Sequence, residues 1–546
     1  MRAALLAMVG LVSLGVGLAR ADDAKSATTS APLFSNLGSH HHRITTRSKQ
    51  AQRYFDQGLR LIYGFNHDEA IRSFKAAARL DPQCAMAYWG VAYALGPNYN
   101  MPLDSEHHTA AYAATQQAVA LAPTVSAPEQ AYIAAIATRY SNDPNADRKA
   151  LDLAFANAMR DLSQRYPDDL DAATLFAESM MDLRPWDLWT LDGQPQPGTL
   201  EIVATLERVL KKDPKHPGAN HYYIHAVEAS PHPERGLPSA QRLATLVPGA
   251  GHLVHMPSHI YMRVGRYADA TEANRHAVAV DQKYLASAKP DGVYPMMYYP
   301  HNIHFLWAAA SMEGRSRDAI AAARQVAAQV PPEMVHEMPV IEFAVPTPLF
   351  ALARFGKWQE ILKEPAPPDD MQYSLGMWHY TRGLAFVAKE QLEEAAQEQA
   401  AVAAIAAAMP AERIIGDNTP AQAVLQLATE TLSGELEARR GEIDEAVRHL
   451  EAAVRFQDGL PYTEPPPWYY PVRQSLGAVL LAAGRAQAAE AVYREDLARN
   501  PNNGWSLYGL AQSLRAQGKT AETAKVDAQF RKAWARADVR LTASRF

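Results

Sequence analysis

Three regimes of hydrophobic patterning follow one another along the chain. An unbroken apolar run covers Ala3 to Leu18 behind the single charge of Arg2 and ends in Ala19-Arg20-Ala21. That order of a positive start, a short apolar stretch and a small-x-small ending is a secretory signal, which places cleavage near Ala21 and predicts a periplasmic or secreted protein. The run holds Gly10, Gly15 and Gly17 and is shorter than the roughly 20 residues needed to cross a bilayer. No membrane span is expected in the mature chain. Residues 22–48 are small, polar and aperiodic at first, reading as a flexible leader. His40, His41 and His42 inside it read as a solvated loop, or alternatively as a loose metal-capturing tract.

From Tyr54 onward the pattern becomes periodic: Gly58, Leu61, Ala70, Phe74, Ala77 and Pro82 set small, large, small, aromatic, small and terminal proline positions. The same punctuation returns at Gly265 with Ala270 and Ala277, at Gly314 with Ala319 and Pro331, at Gly356, at Gly441 with Ala446 and Ala453, at Gly484 with Ala489 and Pro501, and at Gly518. Small residues at these points let two antiparallel helices approach closely, and the glycine supplies the turn between them. The mature chain thereby resembles tetratricopeptide-repeat proteins. What the resemblance implies is an all-α fold, a tetratricopeptide-repeat superhelix or α-solenoid of roughly 10 to 12 helix pairs. Residues 49–215, 216–332 and 333–546 are then N-terminal, histidine-rich and C-terminal groups of repeats. The opening YFDQGLRLIYGFNHDEAIRSF and the blocks HYYIH, HLVHMPSH and HNIH are similar to those of a group of exported bacterial tetratricopeptide proteins.

Composition narrows the function. With 48% hydrophobic and 21% charged residues the 546-residue chain is ordinary for a folded protein, and 53 basic against 59 acidic residues leave no basic footprint for nucleic acid. Cys84 is the lone cysteine, so a disulfide or a cysteine-based metal centre cannot form within the chain. Histidine is the uneven residue: ten of 19 lie between His216 and His304. Seven fall in three blocks as His221 and His225, then His252, His255 and His259, then His301 and His304. Spacings of three and four put side chains on one helix face. By the resemblance, those positions line the concave groove.

Imidazole is the common nitrogen donor to zinc, copper and iron, so these seven residues form a candidate site for one or two transition-metal ions. Glu228 and Glu178 are candidate carboxylate ligands or bases. Such a site is either catalytic, activating water or dioxygen, or serves metal handling; catalytic residues are not assigned by the sequence. The alternative is a non-enzymatic scaffold whose groove binds a peptide or protein partner. Pro257 inside the second block predicts a helix start or kink there. Four proline- and aromatic-rich stretches interrupt the repeat, at 96–104, 184–199, 289–300 and 461–471. Trp186, Asp187 and Trp189 in the second are expected to wall the histidines from water.

Overall fold

A computed structural model describes residues 31–143, 145–290 and 292–545. The proposed signal segment and residues 22–30 lie outside the described residues. Among the described residues the chain is all-α, with one two-residue strand pair, Ile414–Ile415 against Thr419–Pro420. None of their helices is long and apolar enough to cross a membrane. The chain forms two compact units. Of the described residues, the first comprises those up to Pro257 together with those of Ala279–Tyr298; the second comprises Ser258–Val278 together with those from Tyr299 on.

Each unit is built of antiparallel helix pairs in tetratricopeptide fashion. Lys49–Ile62 packs on His67–Leu80, Leu170–Asp182 on Thr199–Lys212, and Ala421–Arg440 on Ile443–Asp458. First helices of successive pairs also touch, as Lys49–Ile62 does Ala85–Ala94 and Arg473–Ala482 does Gly504–Ala516. The small residues have a visible cause. A Cβ on Gly58 or Gly90 would come within 2.6 or 2.4 Å of the Phe74 ring, which lies between the two first helices. Tyr493 occupies the same place between Gly477 and Gly509, at 2.5 and 2.2 Å.

The turn between paired helices is left-handed two residues before the second helix starts. Gly265, Gly314, Gly356, Gly441, Gly484 and Gly518 all take it, with φ between 64° and 87°. In the first pair the corresponding residue is Phe65, at φ 54°. A phenylalanine in that conformation costs of order 1 kcal/mol or more relative to glycine. Glu390 takes the same conformation two residues before the helix Leu392–Ala408, at φ 62°.

Residues 31–48 pack against the first unit rather than forming the loose leader suggested by their composition. Ala31, Leu37 and Ile44 are buried. The Tyr54 hydroxyl donates to the Ala31 carbonyl at 2.8 Å, and Gly249 N–H donates to the Asn36 carbonyl at 2.8 Å. The three histidines within this stretch are therefore held in place.

Candidate metal centre

The helix Pro217–Glu228 begins where its sequence says it should. His216 accepts the Ala219 N–H on Nδ1 at 3.1 Å as the cap, and Pro217 occupies the first turn, where a missing N–H is tolerated. This helix packs against Leu170–Asp182 and presents His221 and His225 inward. The second histidine block is split, as Pro257 predicts: Gly251–His255 forms one short helix and Pro257–Arg263 the next. His252 thus lies on a helical turn. Its backbone N–H donates to the Tyr294 hydroxyl at 3.0 Å, which in turn donates to Asp281 at 2.8 Å.

His221, His225 and His252 come together in the first unit. Each offers a ligand atom within 4.8 Å of the other two. Ring centroids are 4.9 Å apart for His221 and His225, and 5.0 Å for His221 and His252. Two of the rings have their tautomers set. His221 Nδ1 lies 2.7 Å from the Tyr63 carbonyl, which can only accept, so Nδ1 carries the proton and Nε2 the lone pair. His225 Nδ1 donates to Glu228 Oε1 at 2.8 Å with the same result. Carboxylate and carbonyl partners behind imidazoles are the arrangement that orients histidines toward an ion. Glu228 consequently acts on His225 through that bond.

The wall around the trio is aromatic. Phe65 sits edge-on to His221 at 4.5 Å and stacks on His252 at 5.4 Å and His225 at 5.9 Å. The Phe65 ring thus meets three imidazoles from a left-handed turn position that glycine fills in most of the other pairs and Glu390 in one. Tyr99 lies 5.2 Å and Trp186 5.8 Å from His225, and Tyr298 lies edge-on to His252 at 4.9 Å. These come from three of the interrupting stretches. Asn100 ties them together, accepting from Trp186 Nε1 at 3.1 Å and donating to the Tyr298 hydroxyl at 3.0 Å. Trp189 braces the helix by donating to the Ala226 carbonyl at 2.8 Å. His221, His225 and His252 are at most 2% exposed. They face a closed interior and not the open groove expected from repeat position, because Phe65 and the interrupting stretches fill the space before them.

The other candidates are placed differently. His255 lies beside His252 in the first unit, ring to ring at 5.6 Å. In the second unit His259 and His301 are 5.8 Å apart, with Phe305 against both at 4.8 and 5.4 Å. His304 stacks on Trp307 at 4.9 Å beside Phe343, and burial pushes its pKa down to about 3. Three residues after His301, it occupies a wholly aromatic setting. Glu178 belongs to a buried ion network: the Tyr93 hydroxyl donates to it, and Arg139 bridges to Asp182 at 2.8 Å nearby. Burial raises its pKa, with Arg139 and Tyr93 opposing. Among the described residues it joins no group with ligand spacing.

Several residues lie outside what the repeat pattern singles out. Asp171 is a buried carboxylate reached by four donors. His40 Nε2 at 2.8 Å, His216 Nε2 at 3.1 Å and the Tyr63 hydroxyl at 2.5 Å share Oδ1, and His42 Nδ1 takes Oδ2 at 2.8 Å. Burial alone would raise this carboxyl; the His40 charge and the imidazole hydrogen bonds outweigh it and hold the pKa well below the usual range. Tyr63 joins the two clusters, its hydroxyl on Asp171 and its carbonyl on His221. Phe65 and His67 flank the trio from the same turn, and burial lowers the His67 pKa to about 4. Of these, the His40–His42 triplet is legible in the sequence as a possible metal-capturing tract, whereas nothing in it singles out Asp171, Tyr63 or Phe65.

Protein-family models and curated proteins give no match to the chain. Solved structures do match over most of its length. Human IFIT1, in a dimer with m7Gppp-AAAA, is 11% identical over 90% of this chain and 92% of that one, with a TM-score of 0.34. The P58(IPK) TPR domain is 11% identical over 86% of this chain and 99% of that one, at 0.21. Yeast Tom70 is 9% identical over 88% and 93%, at 0.27. Scores this low leave the fold resting on the chain's own helix pairing and left-handed turns.

Proposed function

We propose that the protein is an exported, tetratricopeptide-type metal protein that holds one transition-metal ion through ring nitrogens of His221, His225 and His252. The observation that carries this reading is the convergence of three buried imidazoles within 4.8 Å, two of them already turned by a carboxylate and a carbonyl so that Nε2 bears the lone pair. Neutral nitrogen donors suit zinc, copper or iron. Three protein ligands leave a coordination position for water or a small substrate, the pattern of reactive rather than closed structural sites. An ion there would supply Lewis acidity or an activated water. The chain's own part is to orient the donors through Glu228 and Tyr63 and to exclude bulk water with Phe65, Tyr99 and Trp186. Their complete burial speaks against a peptide groove lined by these imidazoles. The leading apolar segment supports an address outside the cytoplasm, and N-terminal sequencing of the exported protein, expected to begin near Asp22, tests it.

Elemental analysis of the untagged mature protein tests the metal. The expected result is at least one bound ion per chain, with one equivalent lost in the His221→Ala, His225→Ala double variant. Metal content that the double variant leaves unchanged would reject the site, and a metal-free, fully folded protein that binds a peptide would favour the scaffold.

A further inference from the structure

The His40–His42 triplet and Asp171 lie in the wall of an open cavity of about 730 Å³ that also includes Asp169, Asp213 and Lys215. The triplet is pinned from behind. Arg60 Nε donates to the His40 carbonyl at 2.6 Å, and Gln52 Nε2 donates to the His42 carbonyl at 2.8 Å. Asp169 and Asp171 stand at the start of the helix Leu170–Asp182, where Asp169 caps by accepting the Ala172 N–H at 3.0 Å and is also reached by the Tyr132 hydroxyl at 3.0 Å. The positions are therefore set by the fold.

Two donor groups with ligand spacing meet at Asp171: one with His40 and His216, the other with His42 and Asp169. Their chemistry separates them. His216 Nδ1 accepts the Ala219 N–H, so its Nε2 carries the proton that it gives to Asp171. Ligation through that Nε2 would break the helix cap. His42 Nδ1 also donates to Asp171, at 2.8 Å to the other oxygen, but this ring caps no helix, so a divalent ion can take the place of that proton between Nδ1 and Oδ2.

We infer that His42, Asp169 and Asp171 form a second, exchangeable divalent-cation site, independent of the His221 centre. An imidazole with two carboxylates suits a harder ion than three imidazoles do, Zn²⁺ or Mn²⁺, and the carboxylates offset its charge. The opening to the cavity lets water complete the coordination shell and lets the ion exchange. The His221, His225 and His252 side chains are by contrast buried. His40 and His216 hold Asp171 in place by hydrogen bonds and stay outside the shell.

The test is titration of Zn²⁺ into the untagged mature chain by calorimetry. Asp171 is left unaltered because four donors depend on it; His42→Gln and Asp169→Asn keep hydrogen bonding and the helix cap. Wild type should bind in two classes. The His225→Ala, His252→Ala variant should keep only the weaker class, and adding His42→Gln and Asp169→Asn to wild type should weaken that class at least tenfold while leaving the tighter one. The inference fails if His42→Gln and Asp169→Asn proteins with native circular dichroism keep both classes. It fails equally if wild type shows no weaker class. Should the variants misfold, Mn²⁺ resonance on wild type decides: one bound Mn²⁺ displaced by Zn²⁺ is expected, and no bound Mn²⁺ overturns the site. Wild type that shows the weaker class without a tighter one would count against the His221 centre and leave this one standing.

Discussion

At the scale of single residues, the most informative is Phe65. Six glycines at the matching turn show that the backbone there wants a left-handed residue, and Phe65 keeps that conformation with its ring against three imidazoles. Phe65→Gly relieves strain of about 1 kcal/mol but removes a buried ring worth about 3–5 kcal/mol, so net destabilisation of about 2–4 kcal/mol is expected in urea unfolding. Metal release to a chelator should also quicken, since the water-excluding wall is opened. Glu228→Gln addresses the bond behind His225 instead. It should lower affinity for the ion of the His221 centre about 10- to 100-fold with little change in metal-free stability, read by chelator competition. His304 gives a pH prediction. Its folded pKa near 3 lies below the unfolded value of 6.5, so the unfolded chain binds more protons between these limits. Its stability contribution is full above pH 6.5 and falls as the pH drops toward 3, by up to about 1.4 kcal/mol per pH unit. His304→Phe should flatten the acid limb of the stability profile; an unchanged limb would show that the imidazole is already protonated in the fold.

At the scale of elements, the helix pairs were legible because their determinants are local and repeated. Glycine at the left-handed turn and glycine facing an aromatic ring leave the same marks each time. Gly90→Ala puts a methyl where the Phe74 ring stands 2.4 Å away, and Phe74 is itself confined by Gly58 on the neighbouring helix. A loss of about 1–3 kcal/mol is expected in denaturant unfolding. Gly441→Ala meets no neighbour within 4 Å, so its cost is that of the left-handed backbone alone. No loss at Gly90→Ala would show that packing against Phe74 is not what selects glycine there. The break at Pro257 was also readable, since a missing N–H acts within one turn. What the repeat pattern could not supply was the path of the interrupting stretches. Tyr99, Trp186 and Tyr298 gather at the histidines through tertiary contacts over Asn100, and nothing in their local sequence fixes those partners.

At the scale of the whole molecule, histidine enrichment marks the part of the chain where imidazoles converge but not how they divide among groups. Helical spacing placed His221 with His225. Only the fold shows that His252 completes a trio in the first unit while His304 lies in an aromatic pocket of the second. It likewise turns the His40–His42 stretch from a solvated tract into a packed wall, because its partner Asp171 is 129 residues from His42. Such long-range pairing has no periodic signature. The central claim is that three imidazoles of the first unit bind one ion, and X-ray absorption reads their coordination shell directly. The sample is the mature protein carrying His42→Gln and Asp169→Asn and loaded with one equivalent of Zn²⁺. The account predicts three imidazole nitrogens at about 2.0–2.1 Å and one oxygen. A shell of oxygens alone, or one histidine or fewer, would contradict it.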